Sequence, residues 1–546
     1  MRVLGIEGTA WAASAAVYDT DDDPTTAFIE TDAYQPESGG IHPREAAEHM
    51  SDAVPRVVEA ALAEADGPID AVAFSRGPGL GPCLRTVGTA ARALAGTLDV
   101  PLVGVNHMVA HLEIGRQQSG FDSPVCLNAS GANAHVLGYR NGRYRVLGET
   151  MDTGVGNALD KFTRHLGWSH PGGPKVEEAA RDGEYVDLPY VVKGMDFSFS
   201  GIMSAAKDAH DEGVPVEDVC FSLQENVFAM LTEVAERALS LTGSDELVLG
   251  GGVGQNARLR EMLAEMCDQR GADFYAPEPR FLRDNAGMIA VLGAEMLRAG
   301  DTLDIDESAV DPNFRPDEVA VGWRSDEESV AVRREESDEV TGAEATVEIG
   351  AETVTKRRLP KSYRHPELDD RLRRDRTVLE ARLTSEARRQ GVPTPVVYDV
   401  DPAEGTLVFE RVGETDLREG LTPERARDVG RHLAAIHAAG FVHGDPTTRN
   451  VRVGRRGAPS DPSERAESDA TTDRADRTYL IDFGLGYYTD DAEDYAMDLH
   501  VFGQSLDGTA DDAEALREAF EDAYAEAGDE AVLDQLREVE GRGRYQ

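Results

Sequence analysis

Two histidines four residues apart, in His107-Met108-Val109-Ala110-His111, are the first residues whose spacing offers chemistry. On a helix, such residues share a face and stand about 6 Å apart along the axis, so both imidazoles can reach one metal ion. The alternative is two helix histidines with no common ligand, and a third ligand decides between them. Asp284, in Phe281-Leu282-Arg283-Asp284-Asn285-Ala286-Gly287-Met288, is the candidate. Its ordinary role, just ahead of an apolar helix, would be an N-cap. The residues between the histidines are apolar and HExxH is absent, so no general base for peptide hydrolysis is built in. A second run passes from Glu246-Leu247-Val248-Leu249 through Gly250-Gly251-Gly252-Val253-Gly254 to a helical pattern over 256–269. Strand, glycines and helix N-terminus together can turn backbone N–H groups toward a nucleotide.

These residues need a scaffold. Residues 3–18 read strand, small-residue turn, strand, and 125–139 repeat that pattern. Two such hairpins, each followed by mixed helices and strands, predict two related α/β lobes with a cleft between them. Two rigid turns punctuate this half: Arg76-Gly77-Pro78-Gly79-Leu80-Gly81-Pro82 and His170-Pro171-Gly172-Gly173-Pro174. Asn157-Ala158-Leu159-Asp160-Lys161 precedes the second, and Glu177 and Glu178 follow it. Singly, each is an ordinary surface turn.

The chain has 546 residues, which predicts three to four domains. Hydrophobic residues make up 40 %, enough for large cores. Acidic residues number 102 against 55 Lys plus Arg, for a net charge of −47. Lys occurs only at 161, 175, 193, 207, 356 and 361. A hydrated acidic surface almost without Lys predicts an extreme-halophile cytosolic protein. It also argues against non-specific nucleic-acid binding, though not against a local basic site. The four cysteines are isolated, against a disulfide framework or cysteine–zinc site. No apolar run reaches 18 residues, so no membrane span is expected. The N-terminus faintly imitates a signal peptide, but Glu7 interrupts its apolar run. A charged stretch at 323–340 predicts a linker between a domain at 1–322 and one at 341–546. The polar stretch at 454–477 predicts a surface loop insertion.

In this order, the strings at 5–9, 76–82, 106–111, 157–161, 170–174, 250–256 and 284–288 closely resemble the universal tRNA threonylcarbamoyl-transferase family. This is TsaD in bacteria and the catalytic KEOPS subunit in archaea and eukaryotes. The resemblance implies an α/β, two-lobed fold of the actin/sugar-kinase/Hsp (ASKHA) type. It implies one iron or zinc ion held by His107, His111 and Asp284. It further implies threonylcarbamoyl-adenylate bound near Asn128, Ala129, Ser130, Gly131, Ala132, Asp160, Gly173, Glu177 and Asn256, with Asp160 and Glu177 toward ribose hydroxyls. The threonylcarbamoyl group then passes to N6 of an adenosine beside the tRNA anticodon. Many relatives carry Tyr where Asn128 stands. A neutral amide oxygen is a poorer ligand than a phenolate, so three protein ligands are expected here, with Asn128 toward substrate or water.

The C-terminal part carries a second ordered set. Thr341-Gly342-Ala343-Glu344-Ala345-Thr346 is a glycine-containing turn, Lys356 ends an alternating strand, and Glu380 sits in a helical stretch. His443-Gly444-Asp445-Pro446-Thr447-Thr448-Arg449-Asn450 and Ile481-Asp482-Phe483-Gly484 follow. These resemble the machinery of protein kinases. The resemblance implies a small bilobal kinase or ATPase using Mg-ATP. In it the turn covers the phosphates, Lys356 pairs with Glu380, Asp445 is catalytic, and Asn450 and Asp482 hold metal. The loop is HGD rather than HRD, and no APE signal follows. That short segment, the run 356–366 and the tail 542–545 resemble the atypical KEOPS kinase, related to PRPK and the RIO kinases. Residues 356–376 hold nine Lys/Arg against four Asp/Glu. This island is either a charged helix with solvated pairs or a surface facing tRNA phosphates.

The chain therefore resembles a natural fusion of the KEOPS transferase and kinase, acting in tRNA threonylcarbamoyladenosine synthesis. Expected partners are tRNA, ATP, threonylcarbamoyl-adenylate, other KEOPS subunits and a separate adenylate-forming synthase, with no membrane. Two rival readings stay open: a metallopeptidase fused to a signalling kinase, and a regulatory scaffold switched by its kinase half.

Overall fold

The computed structural model describes residues 1–34, 42–140, 142–325, 339–454, 477–510 and 512–542. Most of the charged stretch (326–338), most of the polar insertion (455–476) and the end of the tail (543–546) lie outside the described residues, and Thr341 is described by its backbone alone. The chain divides into two compact units, Met1–Arg333 with Ser362–His365, and Arg334–Lys361 with Pro366–Gln546. The division falls inside the charged stretch. Trp323 and Arg324, expected in the linker, belong to the first unit, and so do Ser362–His365.

In the first unit, the N-terminal lobe consists of β1 (Arg2–Glu7), β2 (Ala12–Asp19), β3 (Phe28–Ala33), α1 (Pro43–Ala63), β4 (Ala71–Gly77), α2 (Gly81–Leu98) and β5 (Leu102–Asn106). Helix α3 (His107–Ser119) leads into the second lobe. There β6 (Val125–Ala129), β7 (Ala134–Arg140), β8 (Arg143–Glu149), α4 (Val155–His165) and α5 (Gly173–Ala179) come first. A short hairpin of β9 (Val192–Lys193) and β10 (Asp196–Phe197) follows, then α6 (Ser200–Asp211) and α7 (Val216–Thr242). The lobe ends with β11 (Glu246–Gly250), α8 (Ala257–Arg270), β12 (Asp273–Tyr275), α9 (Pro279–Leu282) and α10 (Ala286–Ala299).

The two sheets run β3-β2-β1-β4-β5 and β8-β7-β6-β11-β12. Each is an antiparallel meander of three strands with two parallel strands added beside its first strand. This is the duplication expected from the two hairpin patterns. The central strands are buried along their length, as strands covered on both faces must be. The helix following each sheet's parallel strands then packs on the other lobe's sheet. Helix α3 lies on β11, while α10 lies on β1, β2 and β4 and also touches α3. Two glycines permit this closeness. A Cβ on Gly5 would stand 2.4 Å from the Ala286 carbonyl oxygen, and one on Gly115 2.1 Å from Val248 Cγ1.

Helix α3 is also fixed by a buried charge network. Glu113 accepts from Tyr144 Oη at 2.8 Å and pairs with Arg116 at 2.9 Å and Arg324 at 3.2 Å. The Arg324 guanidinium also lies 4.1 Å from the Tyr139 ring centroid. Arg324 and Glu113 side chains are both 0 % exposed. Removing one partner leaves buried charge less compensated, so Arg324→Ala should destabilise the first unit by about 3 kcal/mol. Urea unfolding at constant salt measures this; an unchanged midpoint would deny the pair any weight.

The second unit opens with β13 (Glu339–Thr341), β14 (Ala345–Ile349), β15 (Thr353–Arg358), α11 (Pro366–Arg389), β16 (Val397–Asp401) and β17 (Thr406–Glu410). These strands form an antiparallel sheet, β13-β14-β15-β17-β16, with α11 packed on it. A mainly helical lobe follows: β18 (Thr415–Asp416), α12 (Pro423–Ala438), β19 (Phe441–Val442), β20 (Val451–Gly454), β21 (Arg477–Leu480), β22 (Tyr487–Tyr488), α13 (Ala492–Asp507), α14 (Ala513–Ala527) and α15 (Glu530–Arg542). Its core gathers Val429, Leu433, Phe441, Phe483, Leu499, Phe502 and Phe520. Lys356 sits two residues before the end of β15 rather than at its end.

Candidate metal and nucleotide sites

Helix α3 begins at His107. Asn106 caps it, its side chain accepting from the Met108 and Val109 N–H groups. This leaves both histidines on one face of the first turns, with ring centroids 4.9 Å apart. The cap of α10 is Asn285, which accepts from the Met288 N–H, so Asp284 is not the cap its position suggested. Asp284 faces the histidines instead. Its Oδ1 lies 3.3 Å from His107 Nε2 and 3.6 Å from His111 Nε2. One ligand atom from each of the three residues falls within 4.8 Å of the others.

These separations fit a metal. Donors about 2.1 Å from a tetrahedral zinc ion stand about 3.4 Å from one another. His111 is buried, and neither ring nitrogen has a hydrogen-bond partner, although buried polar atoms are normally paired. Burial lowers the His111 pKa, which favours the neutral imidazole that a metal needs. Burial opposes charge on His107 too, but Glu7 and Asp284 outweigh it and raise its pKa to about 10. Against the cost of burial, His107 first and then His111 hold the Asp284 carboxyl far below the usual range.

Two residues here were not singled out from sequence. Glu7, at the end of β1, is 0 % exposed; its Oε2 is 3.2 Å from His107 Nδ1 and its Oε1 accepts from the Thr9 N–H at 2.8 Å. A carboxylate on the second nitrogen of a ligating imidazole fixes its tautomer and orientation. The signal is present in the sequence, since Glu7 breaks an apolar strand, but nothing local to it points to His107, 100 residues away. Trp11 donates its indole N–H to Asp284 Oδ2 at 3.0 Å.

The residues expected at the adenylate form a connected rim in the second lobe. Asn128 and Ala129 end β6, and Ser130 closes the following turn by accepting from and donating to Asn133. Gly131 packs on the start of α4, its carbonyl accepting from the Asn157 N–H at 2.8 Å. Ala132 belongs to the same turn, against which Gly154 packs. Asp160 accepts from the Gly172 N–H at 2.7 Å and lies 3.1 Å from His170 Nδ1, which places Gly173 at the start of α5. Glu177 accepts from the Ala257 N–H at 3.0 Å, and Asn256 caps α8. Gly251, with φ +84°, closes the rim, because a Cβ there would stand 2.2 Å from the Ala129 carbonyl oxygen. Asp160, Glu177 and Asn256 thus each already hold a protein group. Asn128 Oδ1 is buried without a partner.

In the second unit, Lys356 Nζ is 2.9 Å from Glu380 Oε1 and 2.7 Å from Asp482 Oδ1. Burial disfavours the Lys356 charge, but Asp482 and Glu380 raise its pKa. Burial raises that of Glu380, and Lys356 lowers that of Asp482 against the effect of burial. Asp482 has φ +63°, and its Oδ1 accepts from the Gly484 N–H. Asn450 Nδ2 donates to Asp445 Oδ2 at 2.9 Å. Sequence reading missed Arg358, which binds Glu380 Oε2 at 2.5 Å and Glu344 Oε2 at 2.9 Å. Glu344 also accepts from Arg376, and Lys361 holds the Ala343 carbonyl, so the Gly342–Glu344 turn is tethered at two residues. The basic island is therefore largely engaged within the protein: Arg357 with Glu404, Arg373 with Asp369 and Asp370, and Arg364 with Glu233 inside the first unit. This favours paired charges over a free phosphate-binding face.

A duplicated, two-lobed α/β unit with a histidine–carboxylate cluster where its sheet-crossing helices meet is of the ASKHA class. It is joined here to a bilobal, kinase-like unit. A sequence profile described as TsaD, tRNA N6-adenosine threonylcarbamoyltransferase, matches residues 25–291. A "Probable bifunctional tRNA threonylcarbamoyladenosine biosynthesis protein" of Halobacterium salinarum is 72 % identical over 548 residues, covering 100 % of this chain and 99 % of the relative. Proteins of the same description from Haloarcula marismortui and Methanosarcina acetivorans are 70 % and 46 % identical, covering 100 % of this chain and 100 % and 99 % of their own lengths. The chain belongs to this family of bifunctional tRNA threonylcarbamoyladenosine biosynthesis proteins, with a TsaD domain in its first half.

Proposed function

We propose that the first unit transfers the threonylcarbamoyl group from threonylcarbamoyl-adenylate to adenosine N6 beside the anticodon of tRNAs reading A-starting codons. The observation that carries this reading is the His107, His111 and Asp284 cluster, with His111 buried and neither of its ring nitrogens hydrogen-bonded. These three residues would hold an iron or zinc ion, which when bound supplies Lewis-acid polarisation of an acyl oxygen. The rim from Asn128 to Asn256 would bind the adenylate. Glu7 keeps His107 turned toward the cluster, and the Gly131 turn, α4 and α8 orient the adenylate for attack. The carbon–N6 bond then forms as the acyl carbon–oxygen bond of the mixed anhydride breaks, AMP leaves with that electron pair, and the N6 proton passes to the departing phosphate or to solvent.

The second unit is proposed to bind Mg-ATP. Lys356, held by Glu380, meets the phosphates under the Thr341–Thr346 turn; Asp482 and Asn450 hold magnesium, and Asp445 orients the attacking group. It would act as a Ser/Thr kinase or ATPase that supports transfer. KEOPS subunits and a separate adenylate-forming synthase are the proposed partners, and the cytoplasm the proposed location. Among the described residues no helix is long and apolar enough to cross a membrane. Nucleoside analysis of tRNA from a strain lacking this gene tests the function. Loss of the modified nucleoside, restored by the wild-type gene, is expected; unchanged nucleoside content would overturn the reading.

Asn128 offers a sharper check on the metal. Its Nδ2 donates to Met108 Sδ at 3.5 Å, and a Cβ on Gly250 would stand 3.5 Å from its Oδ1 and 3.3 Å from His111 Cβ. Asn128→Tyr should bring a phenolate to the cluster and tighten metal binding by about tenfold or more. With iron(III), an intense charge-transfer band should appear. A protein that takes up neither iron nor zinc at saturation, yet still transfers, would end the metal assignment.

A further inference from the structure

The turn between β1 and β2 holds both sides of the cluster. Glu7 at its start faces His107, and Trp11 at its end binds Asp284. The indole N–H is a donor only, so it engages one carboxylate oxygen and leaves the other available. That engaged atom is Oδ2; Oδ1 is the oxygen facing both imidazoles. Trp11 is itself anchored. Its carbonyl accepts from the Tyr34 N–H at 2.7 Å, and the Arg283 guanidinium lies 5.9 Å from its ring centroid. The preceding residues are held as well, because the Thr9 carbonyl accepts from the Leu80 N–H at 2.7 Å.

We propose that Trp11 is a positioning residue of the metal centre: its indole N–H holds Asp284 Oδ2 so that Oδ1 stays turned toward His107 and His111. It acts through its hydrogen bond to Asp284 and supplies no atom to the metal itself. Without the N–H, the carboxylate can rotate about its Cβ–Cγ bond and present either oxygen or both. Outer hydrogen bonds of this kind typically change metal affinity by about 10-fold to 100-fold. The inference rests on the metal reading above, and the experiment separates the two.

Zinc affinity of the full-length protein is measured by competition with a chelator, for wild type and Trp11→Phe, each prepared metal-free. Phe keeps an aromatic ring in the turn while removing the donor and part of the ring volume. The expected result is a wild-type protein that binds zinc and a variant that binds it about 10-fold to 100-fold more weakly, with an unchanged metal-free melting temperature. Cobalt substitution adds a spectroscopic readout: the visible bands of the variant should differ from wild type in position or intensity. Should Trp11→Phe fold poorly, a protein with Trp11 as its sole tryptophan (Trp168→Phe, Trp323→Phe) should change its emission on zinc binding. Equal zinc affinities and identical cobalt spectra, or a sole-tryptophan emission indifferent to zinc, would overturn the role of Trp11 alone. A wild-type protein that binds no zinc or cobalt would overturn the metal reading and this inference together.

Discussion

His111→Ala should reduce threonylcarbamoyl transfer by at least about 1000-fold, because Lewis-acid stabilisation is worth several kcal/mol and each 1.36 kcal/mol is tenfold in rate. His111 is the better position to test than His107. Neither of its ring nitrogens makes a hydrogen bond, so its removal strands no partner. Removing His107 would leave Glu7, which is 0 % exposed, facing a void. The fold of α3 should persist, since Asn106 still caps it and Glu113 still ties it to Tyr144. Bound metal should fall with transfer, while ATP turnover by the second unit should change by less than about twofold, as expected for independent sites. The measurements are metal content, transfer to tRNA and phosphate release on one preparation. Wild-type transfer by metal-depleted His111→Ala protein would sink the assignment.

In the second unit, loss of the Asp445 carboxylate should lower phosphoryl transfer or hydrolysis by about 100-fold to 10,000-fold, the usual range for a positioned acid–base group. Nucleotide binding should survive, because Lys356, Glu380 and Asp482 do not depend on Asp445 for their contacts. Asp482 should behave differently. Its carboxylate holds Lys356 at 2.7 Å and would hold magnesium, so its removal should weaken Mg-ATP binding as well as turnover. The backbone decides the variant. With φ +63°, position 482 tolerates Asn better than Ala, so Asp482→Asn isolates the charge from backbone strain. Mg-ATP titration and phosphate release on Asp445→Ala and Asp482→Asn are the checks. Normal rates in both variants would remove these residues from the proposed roles.

The lobe duplication was legible because each hairpin writes apolar run, small-residue turn and apolar run into 15 or so consecutive residues, a local signal that needs no partner. The histidine spacing was legible for the same reason: i and i+4 share a face in any helix. Sequence alone left Asp284 open between a metal ligand and an ordinary N-cap, because Asn285 beside it is an equally good cap. Only the placement of α10 against α3 shows which of the two turns toward the histidines. The charged island misled for a related reason. Its net charge of +5 ignores acids that lie outside the window and fold back onto it, Glu344 and Glu380 from nearby and Glu404 and Glu233 from farther away in the chain.

By itself, the sequence determined what depends on neighbours within a turn or two: the strands, the helix starts, the glycine turns, the shared face of His107 and His111, and the order of the kinase-like elements. Tertiary structure alone decided what depends on approach between distant segments. It set Glu7 behind His107 and Trp11 behind Asp284, added Arg358 to the Lys356–Glu380 pair, and drew Arg324 into the first unit against Glu113. Each of these contacts joins residues 20 or more positions apart. Such contacts exist because glycines such as Gly5 and Gly115 let helices close on the sheets, and because a charge buried by that closure must find a partner.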